Sequence, residues 1–240
     1  MKAVALIPHY NHAGTITRVA HGMRALGIPV MIVDDGSTSA EARAVLDALA
    51  SEPGIQVRYC PENGGKGQAM KVGIRWALSE GYTHALQVDA DGQHQLSDGE
   101  ALLDAARRQP DALICGRPIY GSDAPFVRRY GREITNFWAS INAGVRVRDA
   151  MCGFRVYPVV AFAQVIDHEH VGNRMDFDIE ILVRLVWRGV PLVWVPTPVR
   201  YAPGGISHFA PLLDNLRISG MHARLFFGML RRRLGLGPRS

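Results

Sequence analysis

Two aspartates, Asp89 and Asp91, directly follow the apolar stretch 85–88, which is typical of a short buried strand. Side chains spaced i, i+2 share one face of an extended chain, and just past a strand end they can converge on one point. Two carboxylates that close repel each other unless a cation lies between them. Oxygen ligands of this kind suit Mg²⁺ or Mn²⁺, which keep waters and bridge to phosphate oxygens. An isolated D-x-D-G is more often a solvated turn, so the metal hypothesis needs support from elsewhere in the chain.

Polar loops also follow three other predicted strands. The first strand ends in P-H-Y-N, the second in D-D-G-S, and the third is followed by N-G-G-K-G. Ligands of parallel sheets bind at the carboxyl ends of the strands, so we expect these loops to lie together at one edge of the sheet. Asp34 or Asp35 is placed there to accept hydrogen bonds from a base or ribose, and Lys66 begins a helix where anions are favoured. Each loop alone also fits ordinary turn chemistry.

Two common nucleotide-binding motifs are absent from the sequence. A Walker loop needs G-x-x-x-x-G-K followed by Ser or Thr, but Lys66 is followed by Gly67 and the upstream glycine is missing. A dinucleotide fingerprint needs G-x-G-x-x-G after the first strand, where this chain has P-H-Y-N-H-A-G. Both classes of site are therefore excluded.

The elements that must position these loops alternate regularly. Strands separated by helices of about 10–15 residues predict βαβ units and a mostly parallel, twisted sheet with helices on both faces. Ser97 and Glu100 form a sequence pattern typical of a capping box, which predicts a helix running from there to Arg108. The proline-interrupted stretch 190–199 predicts an edge strand. The predicted strands are 3–8, 30–33, 55–59, 85–88 and 113–116, and the first three helices are 15–26, 40–49 and 68–78.

The composition limits the classes of protein to which the chain can belong. A chain of 240 residues with 48% hydrophobic and 20% charged residues can bury a core and is ordinary for a soluble globular protein. Its three cysteines form no C-x-x-C pair, so we expect a reducing cytoplasm and no zinc or redox site. No apolar stretch approaches the roughly 20 residues that span a bilayer. The short apolar N-terminal run does not resemble a signal peptide.

The net charge of +5 is concentrated at the C-terminal end. Six arginines and one acidic residue, Asp214, follow His208, which leaves 21 basic and 21 acidic residues before that point. A polybasic end on a neutral body favours an anionic surface, either membrane lipid or nucleic acid.

The pattern of the tail from residue 209 decides between those surfaces. Large apolar residues recur at helical spacing, while Arg217, Arg224 and Arg231 repeat every seven residues. We interpret residues 209–240 as a pair of amphipathic helices with a break at Gly220. A helix that packs on the core shows the same stripe. The basic excess favours an interfacial membrane segment, and the position of the arginines on a stripe opposite the large apolar residues disfavours nucleic acid.

The ordered motifs P-H-Y-N, V-D-D-G-S, N-G-G-K-G, D-A-D-G-Q-H and D-A-M-C-G-F-R resemble the family 2 glycosyltransferases with the GT-A fold. Within that family they are similar to the dolichyl-phosphate mannose and glucose synthase branch, over residues 1–208. The resemblance implies an α/β GT-A domain and inverting transfer of a sugar from a nucleotide-diphosphate sugar, with Mg²⁺ or Mn²⁺ on the diphosphate. The implied metal residues are Asp89, Asp91 and Gln93. The implied residues of the nucleotide-sugar site are Pro8, Tyr10, Asn11, Asp34, Asp35, Lys66 and Asp89.

The resemblance also implies phosphate-binding arginines in the second half of the chain. Arginine's planar fork suits phosphate oxygens, and fixed cations stabilise a leaving diphosphate. Asn136 departs from the serine of this branch. The loop 200–208 resembles a closing loop of the family, with glycines that allow the mobility of a lid. The implied arginines are Arg117, Arg132, Arg155 and Arg200.

The need for a catalytic base depends on the acceptor. A lipid phosphate is already ionised at neutral pH, whereas a hydroxyl needs a carboxylate to take its proton. Asp149 is the first candidate for that base, and Asp176 with Glu180, spaced i, i+4 on a predicted helix, is the second. The predicted catalytic set is Asp149, Asp91 and Arg155.

These patterns predict a metal-dependent glycosyltransferase that moves a hexose from a UDP- or GDP-sugar to a lipid-linked, polyprenyl-phosphate-like acceptor. We expect it to be cytoplasmic and peripheral to the membrane. Alternatives are transfer to a hydroxyl of a soluble or glycolipid acceptor, a nucleotidyltransferase, and a membrane-tethered nucleotide-sugar binding module without activity. The sequence leaves the sugar, the nucleotide and the oligomeric state open.

Overall fold

The computed structural model describes residues 1–119, 126–198 and 211–235. Its described strands form one seven-stranded sheet in the order β3-β2-β1-β4-β6-β5-β7. The strands are β1 (Ala3–His9), β2 (Val30–Asp34), β3 (Ile55–Tyr59), β4 (His84–Gln87), β5 (Leu113–Ile119), β6 (Arg155–Pro158) and β7 (Leu192–Pro198). The helices are α1 (Ala13–Arg24), α2 (Ala40–Ala50), α3 (Lys66–Ser79), α4 (Gly99–Arg108), α5 (Phe126–Ala143), α6 (Val159–His168), α7 (Phe177–Trp187) and α8 (Pro211–Arg233).

Four parallel strands, β1 to β4, form one half of the sheet. Their register pairs His9 with Asp34 and Leu6 with Gln87, so the loops that leave β1, β2 and β4 begin side by side. The predicted mostly parallel sheet is confirmed, and so is the edge position of β7, which pairs with β5 only among the described strands.

Strand β6 is antiparallel to both of its neighbours, β4 and β5. Arg155, its first residue, pairs with Gln87, the last residue of β4. Because the two strands run in opposite directions, the segment that enters β6 lies beside the loop that leaves β4. This reversal brings the C-G-F-R motif to Asp89.

Helices cover both faces of the sheet, as predicted. Along β1, Val4 and Leu6 face one apolar cluster, and Ala5 and Ile7 face the other. Helices α1, α2 and α4 pack on the second face, whereas α3, α6 and α7 pack on the first. Every residue of β1 is buried, as a strand in a sheet covered on both faces requires.

The predicted capping box is wrong. A 3-10 turn occupies Leu96–Asp98, and helix α4 begins at Gly99. The Ser97 hydroxyl accepts a hydrogen bond from the Gln95 side chain at 3.2 Å, and residue 98 makes no side-chain cap. The hydroxyl is therefore not used as the helix cap.

The predicted pair of tail helices is also wrong. Helix α8 is continuous over 23 residues and passes through Gly220 without interruption. A single glycine in a helix costs only about 1 kcal/mol relative to alanine, which packing easily offsets. Met221, Leu225 and Met229 are buried against the domain, so core packing accounts for this part of the tail pattern. The predicted boundary at residue 208 lies outside the described residues.

Within the described part of the chain, no helix combines the length and hydropathy that crossing a membrane requires.

A buried carboxylate, Glu180 of α7, joins α8 to the domain. It accepts hydrogen bonds from Arg184 and Arg224 and from the backbone N–H of Gly172. Burial alone would raise the pKa of Glu180, but the two guanidinium groups and the Gly172 N–H lower it below its usual value. Glu180 therefore remains charged inside the protein because its partners neutralise it.

Replacing Glu180 with glutamine removes that charge while keeping the shape of the side chain. We expect the free energy of unfolding near neutral pH to fall by about 3 kcal/mol, because a broken buried ion pair leaves charge uncompensated. The folded pKa lies below the unfolded one, so this contribution is present above the unfolded pKa and is lost as pH falls through the folded pKa. In urea titrations, the difference in the free energy of unfolding between wild type and Glu180→Gln should become smaller at acidic pH.

The control is Glu100→Gln, an exposed position on α4. We expect it to change the free energy of unfolding by no more than about 0.5 kcal/mol. A Glu180→Gln variant as stable as this control would contradict the role of Glu180.

Candidate active site

The D-A-D-G turn that leaves β4 is fixed by helix α1. The Thr15 hydroxyl donates to the Ala90 carbonyl at 2.5 Å, and the Arg18 guanidinium donates to the Gly92 carbonyl at 3.1 Å. Gly92 has φ +69°, a left-handed conformation that glycine adopts without strain. Three features thus hold the backbone between Asp89 and Gln93 in place.

Asp89 is paired with a lysine from the neighbouring loop. The Lys66 ammonium lies 2.7 Å from Asp89 Oδ1 and 2.7 Å from Asp178 Oδ2. Burial would raise the pKa of Asp89, but the Lys66 charge and then His94 lower it well below its usual range. Burial would lower the pKa of Lys66, but Asp178 and Asp89 raise it. Lys66 was predicted to bind the nucleotide sugar; in the structure it bridges two carboxylates, and contact with a ligand stays a prediction.

Gly153 of the C-G-F-R motif makes this arrangement possible. A Cβ atom at residue 153 would overlap the carboxylate of Asp89 and lie 2.6 Å from the Lys66 ammonium. The antiparallel entry into β6 brings this glycine against the exit of β4. Two motifs about 60 residues apart in sequence therefore form one packed unit.

Asp91 completes the pair of carboxylates. Its Oδ1 accepts the backbone N–H of Gln93 at 3.0 Å. Burial, and then the negative charge of Asp89, raise the pKa of Asp91, which shows that the two acids repel each other. A divalent cation relieves that repulsion.

The donor set fits a metal ion that takes few ligands from the protein. Among the residues that the structure describes, no three His, Cys, Asp or Glu side chains group as a metal cage. Mg²⁺ commonly uses one or two carboxylates and fills its shell with waters and substrate phosphates. Asp89 and Asp91 could hold such an ion. Gln93, the third predicted ligand, contacts Asp91 through its backbone N–H, and a role for its side chain stays a prediction.

His94 is a neighbour of this site that the sequence did not single out. Its ring stacks on Phe154 with centroids 4.9 Å apart, and its Nε2 lies 3.8 Å from Asp89 Oδ2. Its Nδ1 is buried and has no hydrogen-bond partner in the described structure. The D-A-D-G-Q-H motif contains this histidine, but only the fold shows that its ring turns back toward Asp89.

Asp34, the last residue of β2, and Asp35, which follows it, hold loops together. Asp34 accepts hydrogen bonds from His9 Nδ1 at 2.9 Å and from Ser37, and these hydrogen bonds lower its pKa against the effect of burial. Asp35 accepts from the backbone N–H groups of Gly64 and Gly65 at 3.0 and 2.7 Å. Burial still raises the pKa of Asp35. Both carboxylates are engaged, so their direct contact with a nucleoside stays a prediction.

Asn11 joins the first two loops. It adopts φ +55°, and its side-chain oxygen accepts the backbone N–H groups of Thr38 and Ser39, each at 3.0 Å. Pro8 lies buried in β1, and Tyr10 is partly exposed beside Asn11. The structure thus brings the predicted nucleoside residues to one edge of the sheet.

A cleft of about 340 Å³ lies between the end of β5, helix α5 and the segment that leads into β6, and it is rich in arginine. Arg117 and Arg132 were predicted to bind phosphate, and Arg148 was missed because nothing in its local sequence marks it. The lining residues are Arg117, Pro118, Ile119, Arg132, Glu133, Asn136, Arg148 and Asp149.

Asp149 is buried in the wall of that cleft. Its Oδ2 pairs with Arg132 at 2.9 Å, and its Oδ1 accepts the backbone N–H groups of Met151 and Cys152 at 2.9 and 2.7 Å. Asn136 supports the same segment, because its side chain donates to the Arg148 carbonyl at 3.0 Å and accepts the Ala150 N–H at 2.8 Å. The asparagine that departs from the family pattern thus organises the cleft wall.

Arg155, predicted to be catalytic, does not line the cleft. It is fully buried, and its guanidinium donates to the backbone carbonyls of Asp178 and Ala150, each at 2.7 Å. Both terminal nitrogens of Arg155 donate to the protein interior, so its direct contact with phosphate stays a prediction. Arg200 and the loop 200–208 lie outside the described residues.

The second candidate for the catalytic base, Asp176 with Glu180, does not line the cleft either. Glu180 is neutralised by two arginines away from the cleft, and Asp176 accepts the backbone N–H of Arg174 at 3.2 Å. Asp178, between them in sequence, was not predicted, yet it contacts Lys66 and also accepts from Gln87 at 3.2 Å.

Comparison with known proteins identifies the family. Residues 4–165 match the model described as Glycosyl transferase family 2. Polyprenol monophosphomannose synthase of Mycolicibacterium smegmatis is 28% identical over 216 residues, which cover 86% of this chain and 80% of the relative. Undecaprenyl-phosphate mannosyltransferase of Micrococcus luteus is 27% identical over 203 residues, covering 82% of each protein.

A solved structure gives the same fold. Glucosyl-3-phosphoglycerate synthase from Mycobacterium tuberculosis, crystallised with Mn²⁺ and UDP-glucose, superposes with a TM-score of 0.62 at 17% identity. The superposition covers 100% of this chain and 80% of that one. The chain therefore has the GT-A fold and belongs to glycosyl transferase family 2, within which it resembles the polyprenyl-phosphate sugar synthases.

Proposed function

We propose that this glycosyltransferase transfers a hexose, with inversion, from a UDP- or GDP-sugar to a polyprenyl-phosphate-like acceptor at the cytoplasmic membrane face. One observation carries the proposal: the segment 149–153 joins the two parts of the site. Asp149 lines the arginine cleft, and Gly153 packs against Asp89. Because only the segment 149–153 separates them, the distance from Asp89 to the cleft is no longer than these few residues can span when extended.

Asp89 and Asp91 form the donor side. When bound, Mg²⁺ or Mn²⁺ would neutralise the diphosphate and so stabilise it as a leaving group. Lys66 keeps Asp89 ionised and fixes its orientation. The loops held by Asp34, Asp35 and Asn11 border the nucleoside position. The M. tuberculosis neighbour binds Mn²⁺ and UDP-glucose, which supports this donor chemistry.

The arginine cleft forms the acceptor side. Arg117, Arg132 and Arg148 present guanidinium groups that suit the oxygens of a phosphate monoester. Such an acceptor is ionised at neutral pH and supplies its own nucleophilic oxygen, so the protein needs no base. The contacts of Asp149 support a phosphate acceptor over a hydroxyl, because its carboxylate already pairs with Arg132 and two backbone N–H groups. The two relatives, whose names give polyprenol and undecaprenyl phosphate, support the same class of acceptor.

Replacing Asp91 with asparagine tests the donor side. We expect glycosyl transfer to fall at least about a hundredfold, because the developing diphosphate charge loses its metal. In thermal unfolding, wild type should be stabilised by UDP or GDP only when Mn²⁺ is present, and the variant should lose this stabilisation.

The matched control is Asp104→Asn, a partly exposed aspartate on α4 that pairs with Arg107. It should leave transfer and the Mn²⁺-dependent shift unchanged. An Asp91→Asn variant that keeps either property would refute the metal role.

A pair of neighbouring arginines tests the acceptor side. Arg148 lines the cleft, whereas Arg146 is exposed and outside its lining. We expect Arg148→Ala to raise KM for a prenyl phosphate about tenfold or more, because a charge-assisted hydrogen bond is lost. Hydrolysis of the donor in the absence of acceptor should not change.

Arg146→Ala should leave both activities as in wild type. Equal effects of the two substitutions would mean that overall charge, and not the cleft, attracts the acceptor. Faster transfer to a neutral prenyl alcohol than to the phosphate would favour the hydroxyl-acceptor alternative.

A further inference from the structure

Helix α5 presents large apolar side chains to solvent directly beside the arginine cleft. Phe137 is 61% exposed, Trp138 42% and Ile134 48%. The two rings contact each other edge to face, with centroids 5.7 Å apart. Their positions, spaced by three and four residues, form one stripe of the helix, whereas Asn136 and Ala139 are buried on the other side.

Helix α8 has a second apolar stripe, opposite the one that packs on the domain. The packed stripe contains Met221, Leu225 and Met229. The opposite stripe advances by alternating steps of four and three residues, which keeps its members on one face of the helix. It consists of Leu216, Gly220, Ala223, Phe227 and Leu230, all of them exposed.

The two stripes belong to neighbouring helices. Helices α5 and α8 pack together, and Asn142 of α5 hydrogen-bonds to His222 of α8 at 3.2 Å. The name apolar platform is used below for the exposed side chains of the two stripes. Its large members are Ile134, Phe137, Trp138, Leu216, Phe227 and Leu230.

Charge along α8 indicates what covers the platform. Arg217, Arg224 and Arg231 recur every seven residues along one side of the exposed stripe, and Arg224, 43% exposed, also pairs with Glu180. The one acidic residue in the α8 sequence, Asp214, is buried and pairs with Arg217. A symmetric, antiparallel pairing of two copies through this face would place both rows of arginines on the same side of the interface. An anionic lipid surface complements both the apolar stripe and the arginines.

The position of the cleft is consistent with that surface. Arg132 and Asn136, which line the cleft, lie on α5 within one turn of Ile134 and Phe137. Ile119, another lining residue, is 49% exposed. We propose that the apolar platform of α5 and α8 lies on an anionic lipid bilayer and thereby places the arginine cleft at the level of the lipid headgroups. The proposal rests on the proposed function only for the identity of the acceptor.

Trp138 offers a direct test with the full-length protein. Vesicles of phosphatidylcholine and phosphatidylglycerol with brominated acyl chains should quench its fluorescence, and Trp138→Phe should remove most of the quenching. Phe137→Ser combined with Phe227→Ser should weaken vesicle binding by about tenfold per phenylalanine, because each buries apolar area in the bilayer. Vesicles of phosphatidylcholine alone should bind less tightly.

The matched control is Leu78→Ser with Val160→Ser, since these side chains are 40% and 55% exposed on α3 and α6. It should bind vesicles as wild type does. Equal binding by control and platform variants, or quenching that survives in Trp138→Phe, would overturn the proposal. So would a wild-type dimer in the absence of lipid that the platform variant converts to a monomer.

Transfer to a short, water-soluble prenyl phosphate separates the two proposals. The platform variant should retain this activity while losing transfer to a long-chain prenyl phosphate in vesicles. Absence of transfer to the short acceptor by wild type would refute the proposed acceptor, whereas Trp138 quenching would still support the platform.

Discussion

The ammonium group of Lys66, held between Asp89 and Asp178, is the interaction on which the rest of the site depends. It joins the start of α3, the exit of β4 and the first turn of α7. Removing one partner from a desolvated ion pair leaves charge uncompensated and typically costs several kcal/mol. The lysine therefore fixes three elements together while keeping Asp89 ionised. Asp91 forms no ion pair with a lysine among the described residues, and burial, followed by the negative charge of Asp89, raises its pKa.

The direction of β6 determines how the two halves of the site meet. Because β6 runs against β4, Gly153 at the end of the segment 149–153 packs against Asp89. Asp149 then organises Arg132 and the cleft wall from the same segment. Arg155, deeper in the sheet, ties Ala150 to Asp178 through their carbonyls and so connects the cleft wall to the lysine cluster. The two aspartates after β4 and the arginine cleft are thus linked by one continuous set of short contacts.

Local patterns in the sequence are sufficient to predict the first four strands and the loops that follow them. Apolar runs bounded by turn residues are local, and so is the D-x-D spacing. Contacts between distant residues could not be read in this way: Lys66 pairs with a carboxylate 112 positions away. Arg155 belongs to a recognisable motif, but only the fold shows that its guanidinium is buried and donates to backbone carbonyls. The tail stripe was found, yet its single helix has apolar residues on two opposite faces, and only the fold shows which face is packed.

The most direct test of the central claim is a crystal structure with UDP or GDP and Mn²⁺, using the anomalous signal of manganese to locate the ion. We expect manganese about 2.2 Å from a carboxylate oxygen of Asp91 or Asp89, with the diphosphate bound to it and Lys66 still paired with Asp178. Manganese and diphosphate located away from both aspartates would contradict a metal-assisted donor site at the end of β4.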